Sequence, residues 1–277
     1  MKIENVHMVT FSPTRTSRKV ADAIVKGMGV VSVQETDLTH VGINDLCIPA
    51  DTLTVFAVPV YGGHVAPLAL KRMEAICSKG APAVVVVVYG NRAYEQALVQ
   101  LDAFVSEHGF KVVAGATFVG EHSYSSKRYP IAVGRPDADD LEDAVLFGRK
   151  ISAKIDQAVD VEHLYGVDVK RIQRPKQSLW GMLRFLYKVV KWRKSHTPMP
   201  RTPQTDESLC THCGCCVTLC PNQAILKGDE CNTFADKCIK CCACVKGCPH
   251  GARSFDSPFA PLLFDCFKRP KENRNIL

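Results

Sequence analysis

The sequence predicts an α/β domain with a doubly wound, parallel, five-stranded sheet, followed by a small α+β domain organised around cysteines. Three observations carry that prediction. β-forming runs alternate with helical stretches over residues 1–160, the order that places helices on both faces of a parallel sheet. Ala83–Tyr89 is an almost unbroken valine run, the composition of a strand covered on both faces. Between Cys210 and Pro249 one cysteine pattern is then written twice.

The first strand is read at Asn5–Phe11 and the next helix at Arg18–Met28, with Ser12-Pro13-Thr14-Arg15-Thr16-Ser17 between them. A hydroxyl-rich turn between a strand and a helix N-terminus can hold an anion with backbone N–H groups and hydroxyls, helped by the helix dipole. The same turn would also serve as an ordinary N-cap. It lacks the GxGxxG of a dinucleotide site and the Lys-Ser/Thr of a nucleoside triphosphate loop. Thr52–Val60 is the next strand and ends at Tyr61-Gly62-Gly63-His64, after which Pro67–Cys77 reads as helix. Ala83–Tyr89 ends at Gly90-Asn91-Arg92, ahead of a helix over Tyr94–His108.

A fifth strand is assigned to Lys111–Val119, followed by the loop Gly120–Pro136 and a helix from Asp137 to Gln157. Asp137, Asp139 and Asp140 are read as capping and dipole compensation. In a doubly wound sheet the ligand sits beyond the strand C-termini, where the unusual loops lie. The loop Gly120–Pro136, with His122, Ser123, Tyr124, Ser125, Tyr129 and Arg135, is placed either as a lid or as a partner-docking surface.

Residues 1–160 resemble flavodoxin. The resemblance rests on the Ser12–Ser17 loop, the Pro59-Val60-Tyr61-Gly62-Gly63 loop and the Tyr89-Gly90-Asn91-Arg92-Ala93-Tyr94 loop. It implies a flavodoxin-like, doubly wound, parallel five-stranded sheet that binds FMN. Ser12, Thr14, Thr16 and Ser17 would hold the phosphate, Tyr61 would stack on the flavin, and Gly62 or Gly63 would supply the flexible peptide at flavin N5. Pro59, Val60, Gly90, Asn91, Arg92 and Tyr94 belong to the two loops that enclose the ring in that family. An aromatic face suits a planar ring, and glycine lets the backbone approach and rearrange. Arg15 departs from the pattern, because flavodoxins usually carry a small residue there. It either neutralises phosphate charge or points to solvent, and a positive φ at this position would strain it.

Cys210, Cys213, Cys216, Cys220-Pro221 and Cys238, Cys241, Cys244, Cys248-Pro249 both read Cys-x2-Cys-x2-Cys-x3-Cys-Pro. The offset is 28 residues throughout and also maps Ala224 onto Ala252, so the segment is an internal duplication. Zinc modules usually separate their ligand pairs by about a dozen residues or more. Disulfide frameworks suit secreted chains, and Met1 onward shows no basic stretch leading into an apolar one. The doubled pattern resembles bacterial two-cluster ferredoxins. There, three thiolates of a 4Fe-4S cluster come from one run and the fourth from the other. That assigns Cys210, Cys213, Cys216 and Cys248 to one cluster, and Cys238, Cys241, Cys244 and Cys220 to a second. Cys215 and Cys242 fall outside the repeat, opposite Ala243 and Gly214, and read as small buried side chains.

Six of the 14 cysteines lie outside the two runs: Cys47, Cys77, Cys215, Cys231, Cys242 and Cys266. Free thiols beside iron-sulfur centres point to a reducing cytoplasm, that of an anaerobe. No apolar run reaches the length of about 18 residues that a membrane span needs. The net charge of +7 is local: ten Lys or Arg and no Asp or Glu fall between Lys170 and Arg201, leaving 25 basic against 28 acidic residues elsewhere.

Those basic residues belong to an amphipathic linker, 161–205, which precedes a ferredoxin domain at 206–256 and a tail at 257–277. Within Ser178–Lys194, Leu179, Met182, Leu183, Leu186 and Val190 share one helical face. That stripe would pack on a neighbouring domain, bind a partner protein, or lie on an anionic membrane surface. It matches no nucleic-acid-binding motif, and no nucleic-acid partner is expected. Thr197–Pro203, with three prolines, should form an extended connector, and Phe255–Leu277 should drape over a module without a long helix.

An FMN domain joined to two clusters implies an electron-transfer iron-sulfur flavoprotein with an external redox partner protein. One alternative is an FMN-dependent reductase of a small acceptor, a quinone or nitro compound, fed by the clusters. Another is a ferredoxin with a flavin-free docking domain. No nucleophile–base pair and no nicotinamide fingerprint stands out, so whether the chain turns over a substrate is left open.

Overall fold

The computed structural model describes residues 4–196 and 198–277, so Thr197 of the expected connector lies outside the described residues. The chain forms two compact units. One takes residues 4–121, 134–175 and 271–277, and the other takes 122–133 and 176–270.

The first unit runs β1 (Asn5–Thr10), α1 (Thr16–Met28), β2 (Ser32–Asp37), β3 (Leu46–Ile48), β4 (Leu53–Tyr61), β5 (His64–Val65), α2 (Pro67–Met73) and β6 (Ile76–Ser78). It continues with β7 (Pro82–Tyr89), α3 (Ala97–Glu107), β8 (Lys111–Val119) and α4 (Ala138–Gln157). Five strands pair in parallel in the order β2-β1-β4-β7-β8. Counted along the five, that is 2-1-3-4-5, the doubly wound order of a flavodoxin-like fold. Two short additions extend the sheet: β5 folds back on β4, and β11 (Arg274–Ile276) pairs antiparallel with β8.

β7 is buried along its whole length, as its valine run requires. On one face of the sheet Met8, Val84, Val86 and Phe118 pack with Val20 and Ile24 of α1 and Phe147 and Ile151 of α4. The two helices meet backbone to backbone. A Cβ at Gly148 would run into the Ile24 carbonyl oxygen, and one at Gly27 into that of Val145. At the start of α4, Asp137 and Asp140 form a reciprocal capping box, with backbone N to carboxylate distances of 3.0 and 2.9 Å. Burial alone would raise the Asp140 carboxyl, but hydrogen bonds from Arg135, the Asp137 backbone and Asn273 hold it below its usual value.

Three local expectations are corrected. The strand absent from the reading is β2, SVQETD, an edge strand exposed almost throughout, so no apolar alternation marks it. The helix expected over Pro67–Cys77 stops at Met73, because Ile76–Ser78 forms β6, paired in parallel with β3. The tail forms α8 (Phe259–Cys266) and then β11, instead of draping.

The second unit contains α5 (Leu179–Lys194), β9 (Gln204–Thr205), α6 (Cys215–Leu219), α7 (Ala243–Lys246), β10 (Arg253–Ser254) and α8. β9 and β10 pair antiparallel and close the cysteine segment on itself. α5 packs on α8 through Met182 and Phe185 against Leu263 and Phe267, joined by Ile131. Trp192 meets Phe259 edge to face, 5.1 Å between centroids, and Lys188 is ion-paired to Asp265. The stripe read from the sequence therefore divides: Met182 turns inward, whereas Leu179, Leu183, Leu186 and Val190 are exposed. The covered face uses the aromatic residues Phe185 and Trp192 instead.

The close approach of α1 and α4 is open to a direct test. Gly148→Ala should lower the stability of the first unit by about 1–3 kcal/mol through overpacking, read as a fall in the urea midpoint. An unchanged midpoint would mean that the helices separate without cost.

Candidate functional site

Within the second unit, Cys210, Cys213, Cys216 and Cys248 line one hollow, and Cys220, Cys238, Cys241 and Cys244 line another. Each hollow draws three thiols from one run and one from the other. The duplication is written in the backbone as well. His212 and Lys240 have φ of 53° and 56°, Gly214 and Cys242 of 75° and 59°, and Gln223 and Gly251 of 51° and 63°, all at the 28-residue offset. These left-handed residues turn the chain tightly enough to aim successive cysteines inward.

The turns also deliver backbone donors to sulfur. Cys213 is lowered first by the N–H of Cys215, and the N–H groups of Lys240 and Ala243 act in the same sense on Cys238 and Cys241. Ala224 N–H lies 3.1 Å from Cys220 Sγ. Burial works the other way, pushing the Cys241 thiol up to about 12 and Cys244 to about 11. Buried neutral thiols with waiting N–H donors are groups that ionise only when a cation takes their protons' place. Eight thiols in two convergent sets are the donor set of 4Fe-4S clusters, so the chemistry of the cradles fits that group.

Several other residues crowd the cradles. Cys242 occupies the left-handed position that Gly214 takes in the first repeat, and it is buried. Cys215 lies beside Cys213 at the start of α6. Cys210, His212 and Cys231 bring ligand atoms within 4.8 Å of one another, and His212 Nδ1 is 3.1 Å from Glu230 Oε2. That trio shares Cys210 with the first hollow. Tyr124 belongs to the same compact unit, and burial, then the Cys242 and Cys238 thiols, push its phenol up to about 12. It is flanked by Phe255 at 5.3 Å and His122 at 5.1 Å between centroids, and its N–H donates to His122 Nδ1 over 3.0 Å. The sequence marks the Gly120–Pro136 loop as functional, but nothing in it assigns Tyr124 to the cysteines. Their proximity is set by the tertiary fold.

In the first unit the Ser12–Ser17 turn joins β1 to α1. Ser12 Oγ accepts from Arg18 N at 3.1 Å, and Ser12 N donates to Thr39 Oγ1 at 2.8 Å. Arg15 is exposed with φ of 62°, the strained alternative raised by its sequence position. Ser17 Oγ is fully buried and has no hydrogen-bond partner among the described residues. An orphaned hydroxyl and the unpaired first N–H groups of a helix make a turn that fits an anionic oxygen ligand. Arg18 is engaged elsewhere, with Asp22 and with Glu35 of β2.

The other two loops are stitched together. Gln96 N donates to Gly63 O at 2.9 Å, and Val65 N to Gln100 Oε1 at 2.9 Å. Gly62 and Gly63 both have positive φ, 61° and 87°, at the tip of the β4–β5 hairpin. Gly63 is buried against Glu95, whereas Gly62 is exposed and has open space where a Cβ would stand. Tyr61 is half-buried, and Pro59 and Val60 precede it on β4. Beyond Gly90, Asn91 is buried with Oδ1 accepting from Lys271 N at 3.1 Å, and Arg92 is ion-paired to Glu95. Tyr94 is buried, with its hydroxyl donating to Ile172 O at 3.3 Å and its ring edge-on to Tyr89.

A 4Fe-4S binding domain matches residues 203–226, which hold the first cysteine run. No curated protein matches the chain. Similar solved structures include a flavodoxin from the domain Archaea, 14% identical, covering 55% of this chain and 99% of its own, with a TM-score of 0.38. The flavodoxin of Streptococcus pneumoniae TIGR4 is 16% identical, covers 54% of this chain and 98% of its own, and has a TM-score of 0.37. A flavone reductase is 11% identical over 59% of this chain and 66% of its own, with a TM-score of 0.39. The strand order described above is what carries the fold of the first unit.

The crossed ligand sets predict crossed phenotypes. Cys248→Ser should disturb the same iron signal as Cys213→Ser, and Cys220→Ser the same one as Cys241→Ser, in electron paramagnetic resonance of the reduced protein. Pairing within each run, Cys248 with Cys241, would refute the assignment.

Proposed function

Starting from a chain that joins a flavodoxin-like α/β fold to a 4Fe-4S binding segment, we propose that the protein is an electron carrier. It passes electrons between FMN in the first unit and two 4Fe-4S clusters in the second, and exchanges them with an external redox partner protein. The observation that supports this most is the pair of four-thiol cradles within one compact unit. Bound together, a flavin that exchanges one or two electrons and clusters that exchange one each interconvert paired and single electrons.

The chain's own residues do the holding and the insulating. The Thr16 and Ser17 N–H groups and the orphaned Ser17 hydroxyl receive the FMN phosphate, with Thr14 beside them. Tyr61 presents its ring to the flavin. The exposed Gly62 supplies the peptide that can turn, because Gly63 is fixed by Gln96 and Glu95. Asn91 and Tyr94 act from behind, holding the third loop to the chain around Lys271 and Ile172. At the cradles, N–H donors stabilise sulfur charge, and Tyr124 with Phe255 keeps water from the second thiol set.

Protein purified without oxygen should contain one FMN and about eight iron and eight sulfide per chain. Eight iron without flavin would overturn the FMN half, and about four iron would overturn the second cluster. Ser17→Ala removes only the orphaned hydroxyl. It should weaken FMN binding by roughly tenfold or more, since hydrogen bonds to charged groups contribute about 1.5–3 kcal/mol. Unchanged FMN affinity in that variant would remove Ser17 from the phosphate site.

A further inference from the structure

We propose that Arg253 is a shared internal counter-ion for the two clusters and raises the reduction potential of both. The inference rests on the two-cluster reading. At the 28-residue offset Arg253 stands opposite Ile225, so one repeat has an apolar residue where the other has a cation. Both side chains are buried, Arg253 at 4% exposure and Ile225 at 2%. Ile225 packs with Cys216 and Cys244, one thiol from each cradle.

Arg253 lines the hollow of Cys216, and its guanidinium donates to the Glu230 backbone carbonyl at 2.6 Å and to the hydroxyl of Thr233, which lines the hollow of Cys244. Both acceptors are neutral oxygens. Arg253 makes no ion pair among the described residues, and its Nε–H is buried without an acceptor.

A buried cation without a counter-charge is strongly unfavourable, so the site calls for a negative group at this place. Two iron-sulfur clusters with four thiolates each supply it, one on either side. Reduction adds negative charge to a cluster, and a fixed cation beside it favours that state. Arg253 is thus a tuning residue, placed between the two thiol sets and touching no substrate.

The test is potentiometry of the full, cluster-loaded chain, with iron counted in parallel so that loss of a cluster is distinguished from a change in its potential. Arg253→Gln and Arg253→Ile remove the charge, the latter using the residue of the first repeat. Each should lower both midpoints by at least about 59 mV, a tenfold change in a one-electron equilibrium, while Arg253→Lys stays near the parent. Unchanged midpoints at full iron, or movement of one cluster alone, would overturn the proposal. If the neutral variants lose iron and Arg253→Lys keeps it, the need for charge stands. If all three lose iron, the role is packing and the proposal falls.

A second inference comes from α5 independently. Leu179, Trp180, Leu183, Leu186, Tyr187 and Val190 are all exposed, Trp180 at 81%, and they fall within about a third of the helix circumference. Exposed Arg184 and Lys191 border this arc on one side and Arg193 on the other, and no acid lies between Lys170 and Arg201. The opposite face is already covered by α8. We infer that the exposed arc lies on an anionic lipid surface, with its apolar residues in the acyl boundary and the bordering cations at the headgroups. No helix among the described residues is long and apolar enough to cross a membrane.

Co-sedimentation of the cluster-loaded chain with vesicles reads this out. Vesicles of phosphatidylcholine with phosphatidylglycerol should pellet the protein, pure phosphatidylcholine should not, and added salt should weaken the binding. The pair Leu183→Glu and Leu186→Glu, both exposed, should reduce partitioning by at least about tenfold. Failure to bind the mixed vesicles, or equal binding by the paired variant, would overturn the proposal. So would a salt-insensitive dimer that the same substitutions dissociate.

Discussion

A cubane needs four thiolates converging from chain segments that no single turn supplies, and in the second unit two sets of four cysteine thiols converge in this way. Its two helices beside the thiols, α6 and α7, are only five and four residues long, too short to persist alone. The small cluster of buried residues there consists of Cys216, Ile225 and Cys244, with Val217, Cys220 and Val245 around it, so half of its members are cysteines of the two runs. A core of that kind supplies little hydrophobic free energy, and where such thiols bind a metal, binding and folding are one process. The first unit is the opposite case. Its sheet buries continuous runs of valine between helices, and its core needs no cofactor to form.

What the sequence made legible follows from the same contrast. Cysteine spacing is a local code, so the doubling of Cys210–Cys220 as Cys238–Cys248 is readable from a repeat offset, and the valine strand and the Asp137 cap are readable from composition. β2 was not, because an exposed edge strand of Ser, Gln, Glu, Thr and Asp has no burial to imprint a pattern. The covered face of α5 was not legible for a different reason. That helix is apolar over most of its circumference, so periodicity alone could not show that Phe185 and Trp192, and not Leu183 and Leu186, would meet α8. The burial of Arg253 among the cysteines and the proximity of Tyr124 to them carried no signal, since both arise from residues distant in sequence.

The order of the chain adds a constraint that neither unit shows alone. It passes from one unit to the other at 121/122, 133/134, 175/176 and 270/271, so neither unit is a continuous segment. The last crossing returns Lys271 to hydrogen-bond with Asn91 and brings Asn273 to Val119 and Asp140. The loop after β7, the end of β8 and the cap of α4 are therefore all fastened by the strand that emerges from the cysteine unit.

The segment 122–133 argues in the same direction. In a doubly wound sheet the loop after the last parallel strand belongs with the ligand site at the strand C-termini. Here that loop leaves β8 and gives its interior residues to the other unit: Ile131 to the α5–α8 core and Tyr124 to the thiols of the second cradle. Glu121 N and Arg135 O, 2.8 Å apart, close its base within the first unit. One stretch of chain thus leaves and re-enters the first unit while its interior residues pack in the second. Four crossings of the chain tether the two parts and fix an effective concentration between them irrespective of any docked interface.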